Sequence, residues 1–322
     1  MAGRLSTGCD TRATVAAMPG TTAHPPTRRL GVDGPVVGPV AYGCWRFAGT
    51  SVAEAADKIE AAVDLGMTLV DTADIYGFDG RDGFGDAEAL LGEVLSSTPG
   101  LRDRIVLATK GGIRPPVPYD QSPEYLVAAC RASLERLQVD SVDLYQVHRP
   151  DLLTHPAELA AALTSLVAEG LVGAVGVSNF TVAQTDALAA HLDLPLVTTQ
   201  PELSPLCLDA LVDGTLDRAM REATVPLAWS PLAGGRLGDG VAAADDRTAA
   251  VHAALDTVAS DHGVTRAAAA LAWVMAHPAG AVPIVGTQQP ERLATLAAAA
   301  SVRLDRSEWY SVLVASRGEP MP

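Results

Sequence analysis

The sequence has few of the residues that staple a fold, ligate a metal or cross a bilayer. Its four cysteines, Cys9, Cys44, Cys130 and Cys207, form no C-x-x-C and no paired spacing with histidine. They read as reduced thiols in a cytoplasmic protein, which argues against a disulfide framework and a zinc site. His24, His155, His191, His252, His262 and His277 are scattered without ligand spacing, so no metal is expected. No apolar run is long enough to span a bilayer. Positive charge is scarce too: 23 Lys and Arg face 38 Asp and Glu, a net charge of −15 with no basic stripe. That balance argues against nucleic acid or an anionic membrane as partner, and leaves open a small anionic ligand held by a few local arginines. No G-x-G-x-x-G follows an opening strand, and "GGRLGDG" late in the chain is not that fingerprint.

What is present is a large apolar fraction, 48% of 322 residues, enough to fill a sizeable core. The first 28 residues, rich in Thr, Ala, Pro and Arg, lack the apolar stretch of a secretory signal and read as a flexible tail, with Met18 a second candidate start. From Arg29 onward short apolar runs recur at Pro39–Gly43, Thr68–Asp71, Ile105–Thr109, Val142–Val147, Val172–Val177, Leu196–Thr199, Pro226–Trp229 and Ala281–Val285. Amphipathic helical segments lie between most of them: Leu126, Cys130, Leu134 and Leu137 share one face, as do Leu159, Leu163, Leu166 and Val167. Capping boxes at Ser51–Glu54 and Thr181–Gln184, and Pro123 after Ser122, mark helix starts. Eight buried strands alternating with helices, without a break in composition, predict a single α/β domain over 29–322, a (β/α)8 TIM barrel. A doubly wound sheet alternates in the same way and is the other fold the pattern allows. Leu30–Val37 is expected to form a short N-terminal β-hairpin closing the barrel floor.

In a barrel the active site lies at the carboxyl ends of the strands. There "LVDTADIYG" delivers Asp71 and Tyr76, "LATKGG" delivers Lys110 and "YQVHRPD" delivers His148. Singly, a lysine is more often solvated and a histidine more often structural. Together on one rim they have a chemical logic. A phenol has a pKa of about 10, a neighbouring ammonium favours its phenolate, and a carboxylate keeps that ammonium charged in a pocket. The histidine has a hydrogen bond for the oxygen that takes the proton. Ser178, Asn179 and Gln200 suit a carboxamide, and Trp229 offers a flat face for stacking. The last strand runs through Thr287 to a helix start at Pro290 with Arg292 in its first turn, a natural phosphate site. Asp74 is expected to serve the turn. Cys44 reads as a small buried residue and Trp273 as helix core.

The motifs "DTADIYG", "LATKGG", "DLYQVHRPD", "GVSNF", "TTQPELSP", "AWSPLAGGRL" and "PIVGTQQPERL" resemble those of the aldo-keto reductases, in the family's order and over nearly all of the chain from Arg29. The "HRPD" and "AWSPL-GGRL" segments look most like a bacterial subgroup of broad-specificity or uncharacterised oxidoreductases. The resemblance implies a catalytic tetrad of Asp71, Tyr76, Lys110 and His148. Tyr76 would be the general acid, Lys110 the group lowering its pKa, Asp71 the partner of Lys110, and His148 the orienting hydrogen bonder. It implies NADPH as cofactor, with NADH possible, held by Gly43, Cys44, Trp45, Asp71, Ser178, Asn179, Gln200, Trp229, the run Ser230, Pro231, Leu232, Gly234, Gly235 and Arg236, and then Gly286, Thr287, Gln288 and Arg292. Many relatives carry a lysine where this chain has Gly286, and an asparagine where it has Leu296. The implied reaction is reduction of an aldehyde or ketone to an alcohol, on a small-molecule carbonyl substrate by a protein taken as a monomer. Two other readings are a nucleotide-binding redox sensor of the same fold and a Schiff-base aldolase using Lys110.

Overall fold

The computed structural model describes residues 26–322, so most of the N-terminal tail, with Cys9, Met18 and His24, lies outside the described residues. A short antiparallel pair, β1 (Arg28–Arg29) and β2 (Val36–Val37), precedes the barrel, so the first ordered strand begins one residue before the expected domain start. Eight parallel strands then close on themselves: β3 (Ala41–Gly43), β4 (Leu69–Asp71), β5 (Val106–Gly111), β6 (Val142–Val147), β7 (Val172–Ser178), β8 (Leu196–Gln200), β9 (Val225–Ala228) and β10 (Val282–Val285). β10 pairs with both β9 and β3, which closes the ring. The fold is the (β/α)8 barrel the alternation predicts, and the doubly wound alternative falls with that closure.

Two apolar layers hold it. The outer layer joins the strands to the helices, and the residues predicted for it are there: Leu126, Cys130, Leu134, Leu137, Leu159, Leu163 and Leu166 are all buried. The inner layer fills the lower barrel with Ala41, Leu69, Ala108, Leu144, Val197, Val225, Leu227, Val282 and Ile284. Leu30 and Val37 of the hairpin pack on that layer, so the hairpin is an apolar plug at the floor.

Helix α1 (Val52–Asp64) begins with the Ser51–Glu54 capping box, and the helix Val182–Ala189 with the Thr181–Gln184 box. Other caps had weaker signals. His155 accepts from the Ala157 N–H through Nδ1, and Asp305 with Glu308 boxes the last helix, Arg306–Arg317. Trp273 is 1% exposed and stacks on Trp309 at 5.0 Å; each indole N–H donates to the other's carbonyl, tying Arg266–Met275 to Arg306–Arg317. Among the described residues no helix is long and apolar enough to cross a membrane.

Candidate active site

Strand period two decides what enters the barrel mouth. On β4, Leu69 lies in the inner apolar layer, so Asp71, two residues on, shares its face. Ala108 places Lys110 on β5 in the same way, and Leu144 places Gln146 and then His148. Apolar side chains fill the lower level and polar ones stand above them.

Lys110 is fully buried, and its ammonium donates to Asp71 Oδ2 at 2.6 Å, to the Thr72 carbonyl at 2.8 Å and to the Tyr76 hydroxyl at 3.1 Å. Those three acceptors use all three N–H groups. Burial alone would lower the lysine pKa, but the attraction of Asp71 and Tyr76 outweighs it and the pKa stands above its ordinary value. The Tyr76 phenol differs from the sequence expectation. Burial pushes its pKa above the ordinary value, and Lys110 only opposes that rise. Desolvation penalises the phenolate more than one ammonium, already shared with Asp71, can favour it. His148 packs edge-on to Tyr76, with ring centroids 5.7 Å apart. Burial, with the charges of Lys110 and Arg149, holds its pKa well below the usual range, so the ring is neutral.

Asp71 has two further partners. Its Oδ1 accepts from Gln146 Nε2 at 3.2 Å and Gln200 Nε2 at 3.1 Å, and Gln146 Oε1 in turn accepts from the Thr198 hydroxyl. Gln146 was absent from the sequence-derived set, although its place between Leu144 and His148 on one strand face is the signal that finds it. A Cβ on Gly176 would collide with the Thr198 hydroxyl, so this small residue on β7 leaves room for the chain of amides. One N–H of the Gln200 amide is therefore committed to Asp71, which leaves its other N–H and Oε1 for a ligand.

The remaining expected contacts divide into groups. Asn179, at a positive φ of 60°, donates to the His148 carbonyl and to Ser178 Oγ and accepts from the Trp229 indole at 3.0 Å. Ser178 Oγ itself donates to the Gln200 carbonyl. Trp229 is thus fixed in orientation while half-exposed, as a stacking face must be. Beyond it, Ser230 (φ 52°), Ala233 (φ 50°), Gly234 (φ 69°) and Gly235 (φ 98°) turn the loop through left-handed backbone, with Pro231 and Leu232 between them. The Gly234 N–H is taken by Ser230 Oγ, and Arg236 pairs with Asp245 and Thr248, so that guanidinium is engaged within the protein. Gly43 and Gly286 lie on the adjacent strand ends β3 and β10, where a Cβ on Gly286 would press on the Gly43 carbonyl.

Cys44 is the small buried residue expected, with a thiol pKa pushed up by burial and by Asp71. Trp45, by contrast, is 63% exposed under the Arg46 guanidinium. Asp74 is fully buried, and among the described residues neither carboxylate oxygen has a well-formed hydrogen bond, as is also true of the nearby Tyr145 hydroxyl. Burial and the neighbouring Glu88 raise its pKa well above the usual range. A separate groove of about 980 Å3, lined by Arg102, Arg131, Asp140 and Asp143 among others, includes none of the site residues.

The assembled mouth therefore holds a protonated phenol, a charged lysine that stabilises its conjugate base, a neutral imidazole, a half-exposed indole and a glycine-rich loop. That is the equipment of proton transfer to an oxygen beside a bound planar ring.

The chain resembles known proteins along most of its length. It is 55% identical over 300 residues to a 6-dehydroglucose reductase of Novosphingobium aromaticivorans, covering 92% of this chain and 98% of that protein. A 6-dehydroglucose reductase of Agrobacterium fabrum is 39% identical over 292 residues, covering 87% and 94%. Among solved structures, the glycerol dehydrogenase AKR11B4 from Gluconobacter oxydans superposes with a TM-score of 0.77 at 25% identity, over 92% of this chain and 98% of that one. The family model described as "Aldo/keto reductase family" matches residues 39–313. A closed barrel, a lysine-centred polar mouth and this extent of similarity have one reading: the chain is an oxidoreductase belonging to the aldo/keto reductase family.

Proposed function

We propose that the protein reduces an aldehyde or ketone to an alcohol with NADPH, Tyr76 acting as the general acid. The observation that carries this is the 3.1 Å contact of Lys110 with the Tyr76 hydroxyl inside a buried site. The raised phenol pKa keeps the proton on Tyr76 until a substrate oxygen gains negative charge. When that proton leaves, the ammonium beside it stabilises the phenolate. His148, neutral and with Nδ1 unpartnered among the described residues, has Nε2–H for the same oxygen in the tautomer that carries its proton there. Asp71, with Gln146 and Gln200 behind it, keeps Lys110 in place and charged.

The residues of the mouth fit a nicotinamide dinucleotide, which when bound supplies the hydride. The Trp229 face, held by Asn179, suits the ring, and Ser178, Asn179 and the Gln200 side-chain amide suit its carboxamide. The left-handed loop Ser230–Gly235 suits the pyrophosphate, and Arg292, exposed at the start of the helix Pro290–Ala297, favours a phosphorylated adenosine. The names of the two relatives support a sugar aldehyde such as 6-dehydroglucose as substrate. Arg149, beside His148, and Glu202, bridged to Trp229, supply polar groups suited to sugar hydroxyls. Against an imine mechanism stands the ammonium of Lys110, charged and bonded to three acceptors, with no lone pair to attack.

The test is Tyr76→Phe in an assay of NADPH oxidation with 6-dehydroglucose and simple aldehydes. Turnover should fall by about a hundredfold or more, the range for losing a positioned acid, with NADPH binding nearly unchanged. Retained turnover removes Tyr76 as the acid. NADPH binding without turnover on any carbonyl would favour the sensor reading.

A further inference from the structure

The chain has two lysines, and their surroundings are opposite. Lys110 sits against a carboxylate in the barrel mouth. Lys58, in the second turn of α1, is also buried, at 8% exposure, yet among the described residues no carboxylate lies within 4.0 Å of its ammonium. That ammonium donates to Thr50 Oγ1 at 3.0 Å and to Gln288 Oε1 at 3.1 Å. Glu54, one turn earlier on α1, is the nearest acid along the helix, but its carboxylate accepts from Ser51 and Thr50 in the helix cap. Two neutral oxygens compensate a buried ammonium poorly, and one of its three N–H donors has no partner among the described residues. A cation without a direct carboxylate contact, with Glu54 acting on it at longer range and through the shared Thr50 hydroxyl, therefore stands against the loop that follows β10.

That loop, residues 286–289, has no charged residue of its own. Thr287 and Gln288 are half-buried, and the Tyr42 hydroxyl holds the Thr287 carbonyl. Arg292, just inside the following helix, is exposed and makes no ion pair among the described residues. Barrels of this kind gather phosphate groups after their last strands, at a helix start. A phosphate monoester, close to a dianion at neutral pH, takes its hold from cations placed there. We propose that Lys58, reaching across from α1, joins Arg292 in reading the adenosine 2′-phosphate and so sets a preference for NADPH over NADH. The phosphate oxygen takes the place of the Gln288 carbonyl on the ammonium, exchanging a neutral acceptor at the end of a flexible side chain for a charged one. The proposal rests on the dinucleotide reading above.

Calorimetric titration of the full chain with NADPH, NADH, adenosine 2′,5′-bisphosphate and adenosine 5′-monophosphate tests it without turnover. Lys58→Met should raise the Kd for NADPH and for the bisphosphate by about tenfold to a hundredfold, the value of a charge-assisted hydrogen bond. The Kd for NADH and for the monophosphate should stay within about twofold. Lys58→Arg should keep most of the NADPH affinity, and Lys58→Gln, which keeps a polar donor, should behave as the methionine variant does. Equal weakening toward both nucleotides, or no change, overturns the proposal, since Lys58 would then only brace the loop. Wild-type protein that binds NADH as tightly as NADPH also overturns it, while leaving the reductase reading intact. Wild-type protein that binds neither removes both.

Discussion

Substitution of Asp71 by Asn is the sharpest probe of the site, because it removes a charge and almost no volume. In the wild type the Lys110 ammonium is fully buried, with Asp71 Oδ2 at 2.6 Å as its one carboxylate contact among the described residues. After Asp71→Asn the ammonium keeps the Thr72 carbonyl and the Tyr76 hydroxyl but loses its counter-charge. Breaking a buried pair from one side costs about 3–5 kcal/mol, since the remaining charge stays desolvated. The amide also presents an NH2 to a site where Gln146 and Gln200 already donate. With an unfolding entropy of about 2.1 cal/mol/K per residue over roughly 300 residues, a loss of that size lowers Tm by about 5–8 °C. Scanning calorimetry measures it directly. Lys110→Met in the Asp71→Asn background should recover most of the loss, because no unpaired charge is then left inside, although turnover stays low. An Asp71→Asn protein with unchanged Tm, or a double variant that loses the sum of two single losses, would refute the picture of a desolvated, mutually dependent pair.

Three other outcomes follow from the geometry. Asp74 has a raised native pKa, so its contribution to stability is full below the unfolded carboxyl value of about 3.9 and is lost as pH rises through the folded value. Relative to Asp74→Asn, the wild type should therefore lose Tm as pH rises from acid toward neutral, so the difference between the two melts measures this one group; a difference that does not change with pH would show that Asp74 does not titrate in this range. His148 has a lowered native pKa, so the ring should stay neutral in NMR titration through the usual histidine range, and the native state should lose stability as pH drops through about 6.5, where the unfolded ring takes its proton. A titration midpoint near 6.5 in the folded protein would contradict the burial argument. Trp273→Phe keeps much of the stack on Trp309 but deletes the indole donor to the Trp309 carbonyl, at a cost of about 0.5–1.5 kcal/mol. Thermal melts that match wild type would place the clamp between these two helices outside the stability of the fold.

What the sequence determined by itself was everything set by local periodicity. Apolar runs at regular intervals gave the strand count, and helix faces and Ser, Thr and Pro caps gave the helices. Once the barrel is granted, strand ends must meet at one mouth, so Asp71, Tyr76, Lys110 and His148 converge by topology alone. Only the tertiary structure decided how charge and solvent are shared among them. Burial, not sequence spacing, leaves the Tyr76 phenol above its ordinary pKa and raises the Asp74 carboxyl well above the usual range. Partner choice is equally non-local. Gln200 is taken by Asp71 from 129 positions away, and Lys58 meets Gln288 across 230, distances in sequence over which no periodicity carries information. Desolvation and long-range hydrogen bonding depend on what surrounds a group in space, and the barrel brings those surroundings together only when it closes.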